Sequence, residues 1–165
     1  MNPLLLLEQA ERLMGAGPGR PRQADLRRAV SAAYYALFHL LIRDGTRRVT
    51  ADDGLRSSVA RVYSHGEMRA ASVALVQNTL PRAIRSLVSS VPDDLHSVAQ
   101  ALIDLQEDRH RADYDLRPAG GFTREMARVR IRQTRDAFVA WERVRTDPAA
   151  EVYLIAMLLH QKLGR

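Results

Sequence analysis

The stretch ADLRRAVSAAYYALFHLLIR, residues 24–43, decides the fold class of this chain. One set of its apolar residues recurs every three or four positions, the spacing of a helix face: Leu26, Val30, Ala33, Leu37 and Leu40. Tyr34, Tyr35, Phe38 and Ile42 lie on other sides of the same helix. A helix that is apolar on nearly every side is buried by several neighbours or by a second subunit. The stretch therefore predicts the central helix of an all-α bundle.

Glycine and proline separate the remaining predicted helices. We predict helices over residues 3–14, 24–43, 52–64, 67–80, 92–114, 123–145 and 147–165. Asp44-Gly45 is expected to end the second helix, and His65-Gly66 to break the chain after the third. Segments 15–19 and 117–122 are predicted to be a linker and a loop. No segment has the alternation of a strand, and 165 residues suit a single core, so residues 1–165 are predicted to form one all-α domain.

The composition excludes several classes of site. The chain has no cysteine, which excludes disulfides, thiolate zinc sites, iron–sulfur clusters and a cysteine nucleophile. The chain contains neither a metalloprotease histidine motif nor a nucleotide-binding glycine motif, so we expect no metal and no cofactor. No run approaches the roughly 20 apolar residues of a membrane helix, and the first residues lack the basic region of a signal peptide. We therefore expect a cytoplasmic protein that does not contact a membrane.

The formal net charge of +6 makes a polyanionic partner such as nucleic acid plausible. Lys162 is the only lysine, so nearly all the positive charge is arginine. In the helix predicted over 123–145, the inward residues are Ala127, Ile131, Thr134, Phe138 and Trp141. Four arginines line one flank of that stripe: Arg124, Arg128, Arg132 and Arg135. Such a flank either follows a phosphate backbone or is a solvated face.

Two polar residues, Ser31 and His39, lie among the aromatic residues of the central helix. Either they are core groups with satisfied hydrogen bonds, or they belong to a site together with Tyr34 and Tyr35. The sequence leaves both interpretations open.

The helix predicted over 92–114 becomes polar on its inward face. Leu95, Ala99 and Leu102 form an apolar stripe, whose continuation reaches four polar residues: Gln106, Arg109, His110 and Asp113. Burying an arginine and an aspartate is costly unless they are paired or bound. Arg109 and Asp113 therefore form either an internal ion pair or part of a polar pocket. The neighbouring pairs Asp104/Asp108 and Glu107/Arg111 are interpreted as mostly solvated helix charges.

Two segments together resemble a known family. Residues 28–39, RAVSAAYYALFH, resemble the second-helix signature of the HEPN family of compact all-helical proteins. Residues 105–115, LQEDRHRADYD, resemble its fourth-helix signature in an R-polar-x-A-D-Y form. The resemblance extends over roughly residues 1–145. It implies an up-and-down bundle of four or five helices, here with an additional C-terminal helix over 147–165, that dimerises with its arginine-bearing helices facing each other.

The resemblance also implies a function. Many HEPN proteins are metal-independent endoribonucleases of toxin–antitoxin or phage-defence systems, with a histidine four to six residues after the motif arginine. Here Arg109 matches the arginine and His110 the polar position, while Asp113 and Asp115 stand where the histidine is expected. If the chain cleaves RNA, Arg109 would stabilise the phosphoryl charge, His110 would act as base and Asp113 would orient them. The expected RNA- or ligand-binding residues are Ser31, Tyr34, Tyr35, His39 and Tyr114.

Three hypotheses follow. The first is an HEPN-like ribonuclease or RNA-binding toxin that acts as a homodimer with a cognate antitoxin. The second is a catalytically degenerate HEPN-like module, a dimeric binding or scaffold partner of a nucleotidyltransferase or another protein. The third is a helical interaction protein whose polar residues are all structural. The absence of the motif histidine favours the second over the first.

Overall fold

The computed structural model describes residues 1–15, 21–88, 90–115 and 121–163, and these ranges form eight helices and no strand. The helices are α1 (Pro3–Gly15), α2 (Gln23–Val49), α3 (Asp53–Ala60), α4 (His65–Val76), α5 (Arg82–Arg85), α6 (Asp93–Tyr114), α7 (Arg124–Val144) and α8 (Pro148–Leu163). The predicted all-α helical bundle is confirmed. Residues 16–19 of the predicted linker and 117–120 of the predicted loop lie outside the described residues.

Helix α2 is the central element of the bundle, as its sequence predicts. It packs against α1, α6 and α7, while α4 packs against both α6 and α8. The predicted stripe of α2 from Leu26 to Leu40 is buried, and so are Tyr34, Phe38 and Ile42 on its other sides. Because these neighbours surround α2, an apolar residue on almost any side of it is removed from water.

The prediction that α2 ends at Asp44-Gly45 is wrong. The helix continues to Val49, and both residues are buried inside it. Asp44 accepts a hydrogen bond of 2.8 Å from the Trp141 indole nitrogen. A Cβ atom at Gly45 would lie 2.1 Å from the Tyr63 hydroxyl, so glycine here permits close packing rather than a turn.

The helix predicted over 52–64 is shorter than predicted. Helix α3 ends at Ala60, and Ser64 caps the start of α4 by accepting a hydrogen bond from the Glu67 amide at 3.1 Å. His65-Gly66 therefore begins a helix instead of breaking one. The capping hydrogen bond satisfies an amide that has no partner inside the first turn of the helix. Helix α4 ends at Val76, earlier than predicted.

The three C-terminal helices agree with the prediction. Helix α6 ends at Tyr114, the Thr123 hydroxyl caps α7 by accepting from the Met126 amide at 3.1 Å, and Pro148 is the first residue of α8. Of the predicted inward residues of α7, all but the half-buried Phe138 are buried. Within the described residues, no helix combines the length and the apolar character needed to span a bilayer.

A buried acid joins α6 to α7, which corrects the interpretation of Asp104 and Asp108 as solvated charges. Asp108 is only 5% exposed and accepts hydrogen bonds from Arg130 at 2.6 Å and from Arg111 at 2.8 Å. Asp104 is half-buried and accepts a hydrogen bond from Gln133 at 2.8 Å. Both acids lie on the side of α6 that packs against α7, where the Arg130 guanidinium compensates for their desolvation.

Candidate functional site

The candidate site lies where α2 meets the C-terminal half of α6. Between residues 29 and 42, α2 is buried except at Ser31, Tyr35 and His39, which are partly exposed. Residues four apart lie on one side of a helix, so these three form a single line. Arg109 and Asp113, also four apart on α6, contact this line. The sequence spacing of both helices thus brings five of the predicted site residues together.

A chain of polar contacts joins the two helices. The Ser31 hydroxyl donates a hydrogen bond of 2.6 Å to one Asp113 carboxylate oxygen, and the other oxygen lies 2.7 Å from Arg109 Nε. Arg109 Nη2 donates a hydrogen bond of 2.8 Å to the Tyr35 hydroxyl. The predicted ion pair between Arg109 and Asp113 is therefore present. The Nε–H bond of Arg109 does not point at the Asp113 carboxylate, so the two side chains form an ion pair without a well-formed hydrogen bond.

Arg109 is held between two aromatic rings. Its guanidinium carbon lies 5.4 Å from the centre of the Tyr35 ring and 5.6 Å from that of Tyr114, which are cation–π distances. Burial disfavours the charged form of Arg109, but the Tyr35 hydroxyl and the Asp113 carboxylate outweigh it and raise the pKa of Arg109. The site therefore contains a permanent positive charge on a side chain that is 15% exposed.

The structure adds His65 to the predicted set. At the first turn of α4, its Nδ1 lies 2.6 Å from the hydroxyl of the fully buried Tyr34. This hydroxyl proton has no other acceptor among the described residues, so we assign it to Nδ1 and place the ring proton of His65 on Nε2. Burial, reinforced by the charge of Arg109, lowers the pKa of His65. Burial also raises the pKa of Tyr34.

Aromatic rings surround this hydrogen bond. Phe38 lies against His65 with ring centres 4.4 Å apart, and Tyr35 stacks on His39 with centres 6.1 Å apart and an angle of 26° between the rings. Burial, followed by the positive charges of the chain N-terminus and His65, lowers the pKa of His39. Ser31 thus enters the polar network, whereas His39 contributes its ring to an aromatic cluster.

On its other side, Arg109 lines a pocket of about 360 Å³ on the α4–α6 surface. Arg69, Arg111, His110 and Glu107 also line it, and the sole carboxylate among them, Glu107, forms an ion pair with Arg69. The predicted catalytic residues Arg109 and His110 therefore share one pocket, while Asp113 lies on the α2 side. Tyr114 is 62% exposed, and its ring centre lies 4.9 Å from that of His110.

The predicted arginine flank of α7 is mostly occupied by partners within the chain. Arg124 donates to the Met14 carbonyl, Arg128 lies 4.0 Å from a Glu125 carboxylate oxygen, and Arg135 forms an ion pair with Glu11. Arg132 forms no ion pair with a described residue. Three of the four arginines therefore have a partner within the chain, and two of these contacts are surface ion pairs.

Sequence reasoning missed His65 because it assigned His65-Gly66 to a helix break. A signal was present: Ser64 is followed three residues later by Glu67, the spacing that is typical of a helix N-terminus. Placing a helix start at Ser64 would have put His65 on the helix that packs against α6.

Among the described residues, no group of three histidine, aspartate or glutamate side chains is placed to hold a metal ion. Comparison of the chain with protein-family models, with curated proteins and with solved structures gives no match. The chemistry of the site is therefore the basis for a function. That site combines a fixed guanidinium, the partly exposed Tyr35, the exposed Tyr114 and a histidine in an arginine-lined pocket.

Proposed function

We propose that this chain is an HEPN-like protein that binds RNA and cleaves its phosphodiester backbone without a metal ion, with His110 beside Arg109 taking the place of the absent motif histidine. The observation that supports the proposal is that Arg109 and His110 line the same pocket, together with Arg69 and Arg111. Guanidinium groups match the geometry of phosphate oxygens, so this pocket suits a phosphodiester. The net charge of +6 favours the approach of a polyanion.

The surroundings of the pocket suit a single-stranded nucleic acid. Tyr114 is exposed next to His110. Exposed aromatic rings bind unpaired bases by stacking, whereas the bases of a duplex are already stacked on each other. We therefore expect single-stranded RNA or a loop to bind with a phosphate in the pocket and a neighbouring base on Tyr114.

The chemistry follows from the two residues in the pocket. His110 accepts the proton of a ribose 2′-hydroxyl, and the 2′-oxygen attacks the adjacent phosphorus. The bond from phosphorus to the 5′-oxygen breaks, and that oxygen receives a proton from the imidazolium. Arg109 stabilises the charge on the phosphoryl oxygens. The products are a 2′,3′-cyclic phosphate and a 5′-hydroxyl.

A second candidate function is supported by a different observation. The charge of Arg109 is already balanced by Asp113, and Tyr35 accepts one of its hydrogen bonds. An arginine held in this way serves to fix α6 on α2. In this case the chain is a catalytically degenerate HEPN-like binding module, with a nucleotidyltransferase or an antitoxin as its partner.

A cleavage assay in EDTA tests the proposal. Purified wild-type protein and the variants R109M and H110A are incubated with total RNA, and binding to a fluorescent single-stranded RNA is measured in parallel. H96A is the matched control, because His96 is an exposed histidine on the same helix outside this pocket. Circular dichroism checks that each variant is folded.

Three outcomes are informative. Cleavage by wild type and H96A that yields cyclic phosphate ends and is lost in H110A and R109M supports the nuclease. Binding that depends on Arg109 without cleavage contradicts the nuclease and leaves an RNA-binding module. Neither binding nor cleavage contradicts an RNA function and favours the second candidate.

A further inference from the structure

The outer face of α7 carries a seven-residue pattern that the bundle core does not use. Six exposed residues of this helix follow one another at alternating spacings of four and three: Glu125, Val129, Arg132, Asp136, Val139 and Arg143. This spacing places all six along one side of the helix, opposite the buried stripe that contains Ala127, Thr134 and Trp141. We call these six residues the α7 outer face.

The α7 outer face borders an open groove of about 740 Å³ against the first half of α6. His96 and Gln100 line the α6 side of the groove. Val129 and Val139 are 42% and 49% exposed, although both are β-branched apolar residues. Val129 and Val139 are ten residues apart on this side, and the other four residues of the α7 outer face are charged, so the face offers a second helix a small apolar contact together with charged partners.

The charges on two copies of the α7 outer face are complementary when the two helices are antiparallel. When two copies of α7 lie antiparallel and are centred on residue 134, position 129 of each copy meets position 139 of the other. In the same way Arg132 meets Asp136, and Glu125 meets Arg143. Parallel copies would instead bring Arg132 to Arg132 and Asp136 to Asp136, which is repulsive. Only the antiparallel arrangement pairs every member of the face favourably.

The central charged residues are free to form such pairs. Neither Arg132 nor Asp136 forms an ion pair with a described residue of its own chain, although the charge of Asp136 acts on the adjacent Arg135. At the end of the face, Arg143 lies 3.6 Å from Asp94, with a side chain that is 65% exposed. Such an exposed pair contributes little stability and is easily exchanged for another.

We propose that the α7 outer face binds a second copy of this chain as an antiparallel pair of α7 helices related by a twofold axis near residue 134. Such an interface is isologous, because the same surface is used by both copies. The face spans 19 residues of helix, from Glu125 to Arg143, and the 18 rises between them give a length of about 27 Å at 1.5 Å per residue. The interface does not depend on an RNA function and shares no lining residue with the Arg109 pocket. It also differs from a dimer in which the Arg109 helices face each other.

Charge reversal tests the pairing. Sedimentation equilibrium over a range of concentrations is performed on wild type, R132D, D136R and the double variant R132D/D136R. Each single variant brings like charges together twice, so we expect its dimer dissociation constant to rise at least about tenfold. The double variant restores opposite charges and is expected to return to within about threefold of wild type. R61D is the control, because Arg61 is an exposed arginine at the end of α3.

Cross-linking tests the orientation. Because the natural chain has no cysteine, V129C/V139C is expected to form disulfide-linked dimers under oxidation, whereas V129C alone is not. A bridge within one chain is excluded, since ten residues of helix separate the two positions by about 15 Å.

A monomeric wild type at every concentration overturns the proposal. So does a dimer that none of the charge variants affects, or single variants that the double variant does not rescue. Cross-linking of V129C alone contradicts the antiparallel arrangement. A wild-type dimer in which V129C/V139C does not cross-link shows that another surface is used.

Discussion

Asp108 and Arg109 are neighbours on α6, but their side chains face different helices and belong to different networks of polar contacts. Asp108 faces α7, is 5% exposed and accepts hydrogen bonds from Arg130 and Arg111. Arg109 faces α2, is held by Asp113 and Tyr35, and lines the pocket on its other side. One network is closed within the protein, and the other reaches a surface.

The difference shows how to separate a structural charge from a functional candidate. A buried carboxylate with two arginine partners has little capacity left for a ligand, and its removal leaves buried cations unpaired. Arg109, in contrast, also lines a pocket, and its Nε forms no well-formed hydrogen bond. If candidate functional residues were chosen by burial alone, Asp108 would be preferred, whereas access to a pocket favours Arg109.

The largest effect on stability is expected in the network around the buried Asp108. D108N should lower the free energy of unfolding by about 2–3 kcal/mol, because Arg130 loses its closest counterion while only 25% exposed. Thermal or urea unfolding measures the change. The adjacent E107Q is the control, since Glu107 pairs with Arg69 at the surface and its loss should cost less than about 1 kcal/mol. Equal effects in the two variants would contradict the contrast between the networks.

A smaller effect is expected at the network that reaches the pocket. D113A should lower the free energy of unfolding by about 1–2 kcal/mol, because Arg109 and Ser31 both lose their partner. The double variant R109M/D113A should be more stable than D113A, since methionine keeps the apolar volume and removes the unpaired charge. Additive losses from R109M and D113A in urea unfolding would show that the two side chains are not coupled.

The smallest effect is a pH dependence of stability at the α2–α4 contact. Burial lowers the pKa of both His39 and His65 in the folded chain. The unfolded chain, with histidine values near 6.5, then binds protons that the folded chain does not, so stability falls as pH decreases below about 6.5. In H65N the asparagine keeps an acceptor for the Tyr34 hydroxyl but does not titrate. This variant should therefore lose less free energy of unfolding between pH 7.5 and 5.5 than wild type does. Parallel curves for wild type and H65N would contradict a role of His65.

Local sequence patterns predicted the parts of α2 and α6 that carry Arg109 and its partners. The polar continuation of the apolar stripe on α6 singled out Arg109 and Asp113, and the spacing of four predicted their ion pair. The same reasoning misjudged Asp108, because helical spacing specifies a face but does not say which faces are covered by other helices. It missed His65 because it assigned His65-Gly66 to a helix break, and because the contact of His65 with Tyr34 is set by packing between residues 31 positions apart.

The sequence by itself determined the all-α class, the central position of α2 and the starts of α6, α7 and α8, because apolar periodicity, caps and prolines act within a few residues. Only the tertiary structure decided that Asp44-Gly45 lies inside a helix, that Asp108 is buried and that His65 joins the site. These outcomes depend on contacts with Trp141, Arg130 and Tyr34, which are far away along the chain. Local preferences of a fraction of a kcal/mol are outweighed by the burial and pairing of such side chains.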